Sequence, residues 1–100
     1  MRFVQIIEFE ATEEQLAQGD ALVEEYMKQT EGKRTAGRST LLRDRANPSK
    51  YYNVVEFASY EDAMRNNELP ETQALSEGMM AISSGPPRFI DCDVVRERSQ

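Results

Sequence analysis

The chain contains no histidine, no tryptophan and only one cysteine, Cys92, in 100 residues. Without histidine, no imidazole is present to activate a serine in a conventional triad. The usual nitrogen ligand for zinc or haem iron is missing as well, and one cysteine adds little to a metal site. A lone cysteine closes no internal disulfide, which fits a reducing compartment. No apolar run approaches the roughly 18 residues that a membrane-spanning helix requires. The opening run Met1–Glu8 reaches a glutamate too early for a secretory signal core. No glycine-rich loop follows a strand in the pattern that nucleotide binding requires. These absences predict a cytoplasmic protein with no membrane partner, no metal and no bound cofactor.

What is present is ordinary globular material, 39% hydrophobic and 30% charged, of a length that predicts a single domain over residues 1–100 with a small core. The net charge of −6 argues against a nucleic-acid partner, because such binding is driven by clustered Lys and Arg. The charge is unevenly spread. Lys28 to Lys50 holds seven basic residues against two acidic ones, leaving −11 for the remainder. A solvated strand edge that pairs with acidic helices accounts for this, and a cationic rim that steers an anionic ligand is the alternative.

Along the chain, Arg2–Phe9 reads as a strand, with Phe3, Gln5, Ile7 and Phe9 on one face and Val4 and Ile6 on the other. Thr12-Glu13-Glu14-Gln15 forms a Thr-x-x-Gln capping box. The helix it opens should reach about Thr30, burying Leu16, Val23 and Met27 with neighbouring Leu22 and Tyr26. Glu31-Gly32 ends it. Arg38–Arg45 and Tyr51–Phe57 read as two strands joined by the turn Ala46-Asn47-Pro48-Ser49. Ser59 starts a second helix that meets Pro70, where it must break, because proline lacks an amide hydrogen and disfavours helical geometry at Leu69. A proline is comfortable at the first position of a new helix, and Thr72, Leu75, Met79 and Ile82 continue an inward stripe. Gly85-Pro86-Pro87 stops it before a last strand, Phe89–Val95.

The order strand, helix, strand, strand, helix, strand predicts an α+β, ferredoxin-like βαββαβ fold. In it a four-stranded antiparallel sheet carries its helices on one face. The first strand is apolar on both sides, so the uncovered face needs a partner. A second copy of the chain, in a homodimer, is the simplest one.

With the runs "FVQIIEF", "YYNVVEFASYEDAM", "NNELPETQALSEGMMAI" and "GPPRFIDCDVV", nearly the whole chain resembles the dimeric α/β-barrel superfamily. The resemblance is to its branch of antibiotic-biosynthesis-monooxygenase-like proteins. It implies that two sheets face each other across a dimer to form a barrel, and that ligands lie between each sheet and its own helices. Members include oxygenases and haem-degrading enzymes. Where family enzymes often carry a helical histidine this chain has Asn67, so the resemblance does not extend to haem degradation.

Neutral polar groups are what remain as site candidates. Gln5 and Asn53 each sit among apolar residues of a strand, and buried amides must find partners. Tyr26, Tyr51, Tyr60 and Asn67 add phenols and an amide near the expected gap between helices and sheet. For each of the six, hydrogen bonding to the backbone or a place in the dimer seam is the competing account. Cys92, between Ile90 and Val94, reads as a small buried hydrophobe. Asp91 and Asp93 share a strand face, where solvation explains them. Such a lining suits cofactor-free oxygenation of a small aromatic metabolite, in which the substrate itself supplies the electron to oxygen. A non-catalytic domain that binds a small molecule, or a stress-responsive accessory protein, is the alternative. The stretch Met64–Gln73 reads foremost as a joint between helical pieces.

Overall fold

The computed structural model describes residues 1–99. The elements are β1 (Phe3–Glu10), α1 (Glu13–Gln29), β2 (Ala36–Arg43), β3 (Lys50–Phe57), α2 (Tyr60–Glu68), α3 (Pro70–Ile82) and β4 (Arg88–Asp93). The four strands form one antiparallel sheet in the order β2-β3-β1-β4, the ferredoxin-like arrangement.

Each helix start follows from local chemistry. The Gln15 amide nitrogen of the backbone donates to Thr12 Oγ1 at 3.1 Å, while Gln15 Oε1 accepts from the Thr12 backbone at 2.9 Å. That reciprocal pair is the capping box. Ser59 caps α2 in the same sense, accepting from the Asp62 backbone at 3.1 Å. Leu69 sits in extended geometry at ψ 132°, and Pro70 opens α3 with no side-chain cap. The break expected from the proline is therefore real, and it costs no donor because Pro70 has none to leave unpaired. At the end of α1, Gly32 takes the left-handed conformation, φ 81°, that turns the chain toward β2.

Two strands differ from their expected bounds by two residues, and the other two by one. β2 begins at Ala36, two residues early, because a bulge between Ala36 and Arg38 lets Gly37 drop out of register. It ends at Arg43, and Asp44 instead accepts two turn amides, from Ala46 at 2.8 Å and Asn47 at 3.1 Å. β4 ends at Asp93, two residues short of Val95.

The buried core is small: Phe3, Phe57 and Ala63, with Ala36 and Val55 packed against it. Phe3 and Phe57 are cross-strand partners, and Ala63 comes from α2, so this face of the sheet is the one the helices cover. The side of α1 that packs on α3 is Gly19, Leu22 and Tyr26. Gly19 lies against Met79 and Ile82, Gly78 against Leu22, and Tyr26 is bonded to Thr72. Val23 and Met27, expected to be buried, are 36% and 47% exposed. They lie one stripe around the helix from the contact, and α3 is reached through small residues that allow close approach.

Candidate functional site

The helix-side face of the sheet is built in four rungs across the strands. At one end, Ala36, Phe57, Phe3 and Asp93 align, and the next rung is Ser39, Val55, Gln5 and Asp91. The third is Leu41, Asn53, Ile7 and Phe89, and the last pairs Arg43, Tyr51 and Phe9. The first rung is closed by α2. On the third, the edge-strand residues Leu41 and Phe89 stay 45% and 55% exposed, so the floor that this face forms is open along its two edges, while the central Asn53 and Ile7 are half-buried.

Two polar pairs stand on that floor. Ser39 Oγ donates to Asn53 Oδ1 at 2.8 Å, and Gln5 Nε2 donates to Asp91 Oδ1 at 3.2 Å. Gln5 and Asn53 are half-buried, with Val55 and Ile7 as their apolar neighbours on the adjoining strand positions.

The remaining four candidates do not converge with them. Tyr51 is buried at the far end of the sheet, stacked on Phe9 with ring centroids 5.6 Å apart. Arg43 Nη2 donates to its hydroxyl at 3.0 Å, and the guanidinium lies 5.4 Å from the ring centroid. Tyr60 is 50% exposed and meets Phe3 edge-on at 5.2 Å. Asn67 is exposed on α2. Tyr26 belongs to a separate knot between helices, in which its hydroxyl shares a 2.9 Å bond with Thr72 and accepts from Asn66 Nδ2 at 3.3 Å.

Asn66 is the residue that sequence reasoning missed in the Met64–Gln73 stretch. It is 6% exposed, and its Oδ1 accepts the Thr35 backbone N–H at 3.2 Å. Helical spacing held the signal, since Ala63 and Asn66 are three residues apart and share a face.

The opposite face of the sheet carries Val4, Ile6, Val54, Leu42, Ile90 and Cys92, with ionic groups at both ends. At one end Arg2 bridges Glu56 and Glu97. At the other, Glu8 pairs with Lys50 at 2.7 Å and with Arg88 at 3.8 Å. The Lys50 hydrogen bond holds the Glu8 carboxyl below its usual range, and Glu8 in turn raises Lys50. Tyr52 donates to Asp44 Oδ2 at 2.8 Å; that bond lowers the Asp44 pKa and raises that of Tyr52. Within the basic segment Lys50 and Lys33 are thus paired with carboxylates, Lys33 reaching Glu71 at 3.4 Å.

Two open depressions flank the sheet. One, of about 300 Å³, is lined by Phe9, Glu8, Lys50, Pro86 and Arg88 among others. The other, of about 600 Å³, lies by Arg2, Gly37, Arg38 and Phe57. Among the described residues no three His, Cys, Asp or Glu side chains come together as a metal site. No helix among them is long and apolar enough to cross a membrane.

No protein-family profile matches the sequence, and no curated protein matches it. Solved structures do. A variant of SnoaB, a cofactor-independent oxygenase from Streptomyces nogalater, superposes with a TM-score of 0.79 at 13% identity, covering 99% of this chain and 98% of that one. Rv0793 from Mycobacterium tuberculosis gives 0.78 at 11% identity, covering 99% and 100%. A protein named as an antibiotic biosynthesis monooxygenase gives 0.71 at 16% identity, covering 96% and 100%. Across nearly its whole length the chain has the ferredoxin-like fold of these antibiotic-biosynthesis-monooxygenase-like structures.

Proposed function

We propose that the protein binds a small aromatic metabolite on the helix-side face of its sheet and oxygenates it without a cofactor. The observation that carries this reading is the floor of the helix-side face, where Asn53 and Gln5 are held as polar pairs among Val55, Ile7, Leu41 and Phe89. Mostly apolar walls with a few placed polar groups are what orient a small ligand. The shared fold with a cofactor-independent oxygenase supports the same chemistry.

In that chemistry the substrate is a phenol or quinol whose keto form has a ring carbon bearing two hydrogens. Loss of a proton makes it electron-rich, and it then passes an electron to O₂. One oxygen atom ends as the new carbonyl and the other leaves as water with the two hydrogens. The protein has only to orient the ring and receive a proton, and Asp91 is the carboxylate beside Gln5 on the floor.

We propose a homodimer as the assembly, supported by the apolar centre and charged ends of the opposite sheet face. A cytoplasmic location is supported by the single free thiol of Cys92.

A second reading, a binding or stress-responsive accessory domain without catalysis, is favoured by one observation. Among the described residues, every buried side-chain nitrogen or oxygen already has a partner. Oxygen uptake separates the two. With anthrone as the probe, the protein should speed O₂ consumption above the buffer rate, and Asn53→Leu should slow it. Bound anthrone with no acceleration would leave the binding domain as the function.

A further inference from the structure

The sheet ends unevenly on the two sides of β1. Pairing with β3 runs to Glu10 and Lys50, whereas pairing with β4 stops at Glu8 and Arg88. The backbone groups of β1 alternate between its two neighbours. The Arg2 carbonyl accepts from Val94, which follows β4, and the Ala11 N–H donates to Ser49, which precedes β3. Even-numbered residues of β1 therefore turn both N–H and C=O toward the β4 side, Glu10 among them. Continuing the register would set Pro86 opposite Glu10, and a proline has no N–H to give. Neither backbone group of Glu10 has a partner among the described residues.

That open rung lines the depression of about 300 Å³, together with Glu8, Phe9, Lys50, Pro86 and Arg88. Its size is at the lower end of what small-ligand sites occupy. Glu8 belongs to one sheet face and Phe9 to the other, so the depression straddles the end of the sheet and lies outside the floor. Lys50 meets Glu8 at 2.7 Å and has N–H donors to spare. Arg88 stands 3.8 Å from the same carboxylate, beyond hydrogen-bond reach, and is largely exposed. Two cations thus share one carboxylate beside a free strand N–H. The Glu10 side chain is exposed on the face it shares with Glu8, and it is the backbone of this residue that the depression presents.

We infer that this depression binds an N-acylated α-amino acid with an apolar side chain, as a one-residue extension of the sheet. In an antiparallel ladder, two residues that face each other exchange both of their backbone hydrogen bonds. An acylated amino acid carries the matching pair on one α-carbon: an amide N–H for the Glu10 carbonyl, and a carboxylate oxygen for the Glu10 N–H. The carboxylate charge is then met by the Arg88 guanidinium, whose planar fork suits it, with Lys50 alongside. Phe9 and Pro86 give the side chain an apolar wall. The C-terminal residue of a peptide presents the same groups.

Titration of the isotope-labelled full chain, followed through its backbone amide NMR signals, tests this. The probes are N-acetylleucine, N-acetylleucinamide, which lacks the charge, and isocaproate, which lacks the amide. N-acetylleucine should bind at millimolar concentration and shift the Glu10 amide signal. One hydrogen bond corresponds to about tenfold in affinity, so each of the other two should bind about tenfold more weakly. Arg88→Gln should weaken N-acetylleucine by about the same tenfold factor and leave N-acetylleucinamide unchanged. Acetyl-alanyl-leucine separates the two sources of the ligand. Tighter binding than N-acetylleucine assigns the site to a peptide end, and equal or weaker binding assigns it to the free acylated amino acid. No binding of N-acetylleucine at millimolar concentration overturns the inference, as does equal binding of the three probes. So does full affinity in a folded Arg88→Gln variant, or a set of shifts that falls on the floor around Asn53 and leaves Glu10 unmoved. The probe order is read on the wild-type chain, so a variant that fails to fold does not block the test.

Discussion

Asn66 Nδ2 donates to the Tyr26 hydroxyl at 3.3 Å, tying α2 to α1 just ahead of the break that Pro70 imposes. The same hydroxyl is bonded to Thr72 on α3, and Asn66 Oδ1 holds the Thr35 N–H that leads into β2. One amide thus gathers four segments at a place where the helix cannot continue. Asn66→Ala should destabilise the protein by about 1–3 kcal/mol, the cost of leaving buried polar groups unpaired. Asn67→Ala, on the exposed side of α2, should change stability by no more than about 0.5 kcal/mol. Urea denaturation of the two variants checks the contrast, and equal losses would refute the assignment.

The fold was legible because its punctuation is chemical. Thr12-x-x-Gln15, Ser59, Gly32 and Pro70 each act where their side chain or missing group dictates. The sheet faces were legible from alternation, which placed Phe3 with Gln5 and Ile7. What escaped was rotational and tertiary. A shift of one stripe around α1 exposes Val23 and Met27, and nothing local reports that α3 packs against Gly19. Of the six candidate residues, Gln5 and Asn53 share the floor because both alternate into one face of adjacent strands. Tyr51 and Tyr60 were plausible as phenols, but the sequence does not say that one stacks on Phe9 and the other on Phe3.

The hairpin between β2 and β3 should respond to pH at both extremes. Asp44 has its pKa lowered by the Tyr52 hydroxyl and then by the Ala46 and Asn47 amides. A lowered carboxyl contributes stability that is complete above its unfolded-state pKa and is lost as pH falls through the folded value. Tyr52 is raised, chiefly by the bond to Asp44, so its contribution is complete below its unfolded-state pKa and is lost as pH rises through the folded one. Tyr52→Phe should therefore flatten both the acidic and the alkaline limbs of the melting-temperature profile. A variant profile parallel to the wild type at both limbs would rule out the coupling.

The uncovered sheet face should seat a second copy. Ile6 and Val54 are direct cross-strand partners at its centre, between the Arg2 and Glu8 ion-pair clusters. Light scattering on a sizing column should give twice the 11.4 kDa chain mass at micromolar concentration. Ile6→Asp or Val54→Asp would place an unpaired charge in the seam, which costs several kcal/mol when buried, and should dissociate or unfold the dimer. A monomeric wild-type protein would exclude the barrel assembly.

The contact between α1 and α3 offers a finer test, because each helix approaches through a glycine with different room beside it. Glycine in a helix interior costs about 1 kcal/mol relative to alanine. At Gly19 an added methyl would meet Met79 Sδ at 3.4 Å and Cε at 3.6 Å, ordinary contact with a flexible side chain. The helical gain should survive there, so Gly19→Ala should stabilise the protein by about 0.5–1 kcal/mol. At Gly78 the methyl would meet Leu22 Cδ1 at 3.2 Å, close enough that the leucine must move by a few tenths of an ångström. Repacking in a filled contact commonly costs about 1 kcal/mol or more, so it should offset the gain and leave Gly78→Ala near neutral or destabilising. Thermal unfolding of both variants reads the difference directly. If Gly78→Ala proves the more stable of the two, Leu22 has room to yield and the helices are less tightly apposed than the Tyr26–Thr72 bond and the Gly19–Met79 contact require.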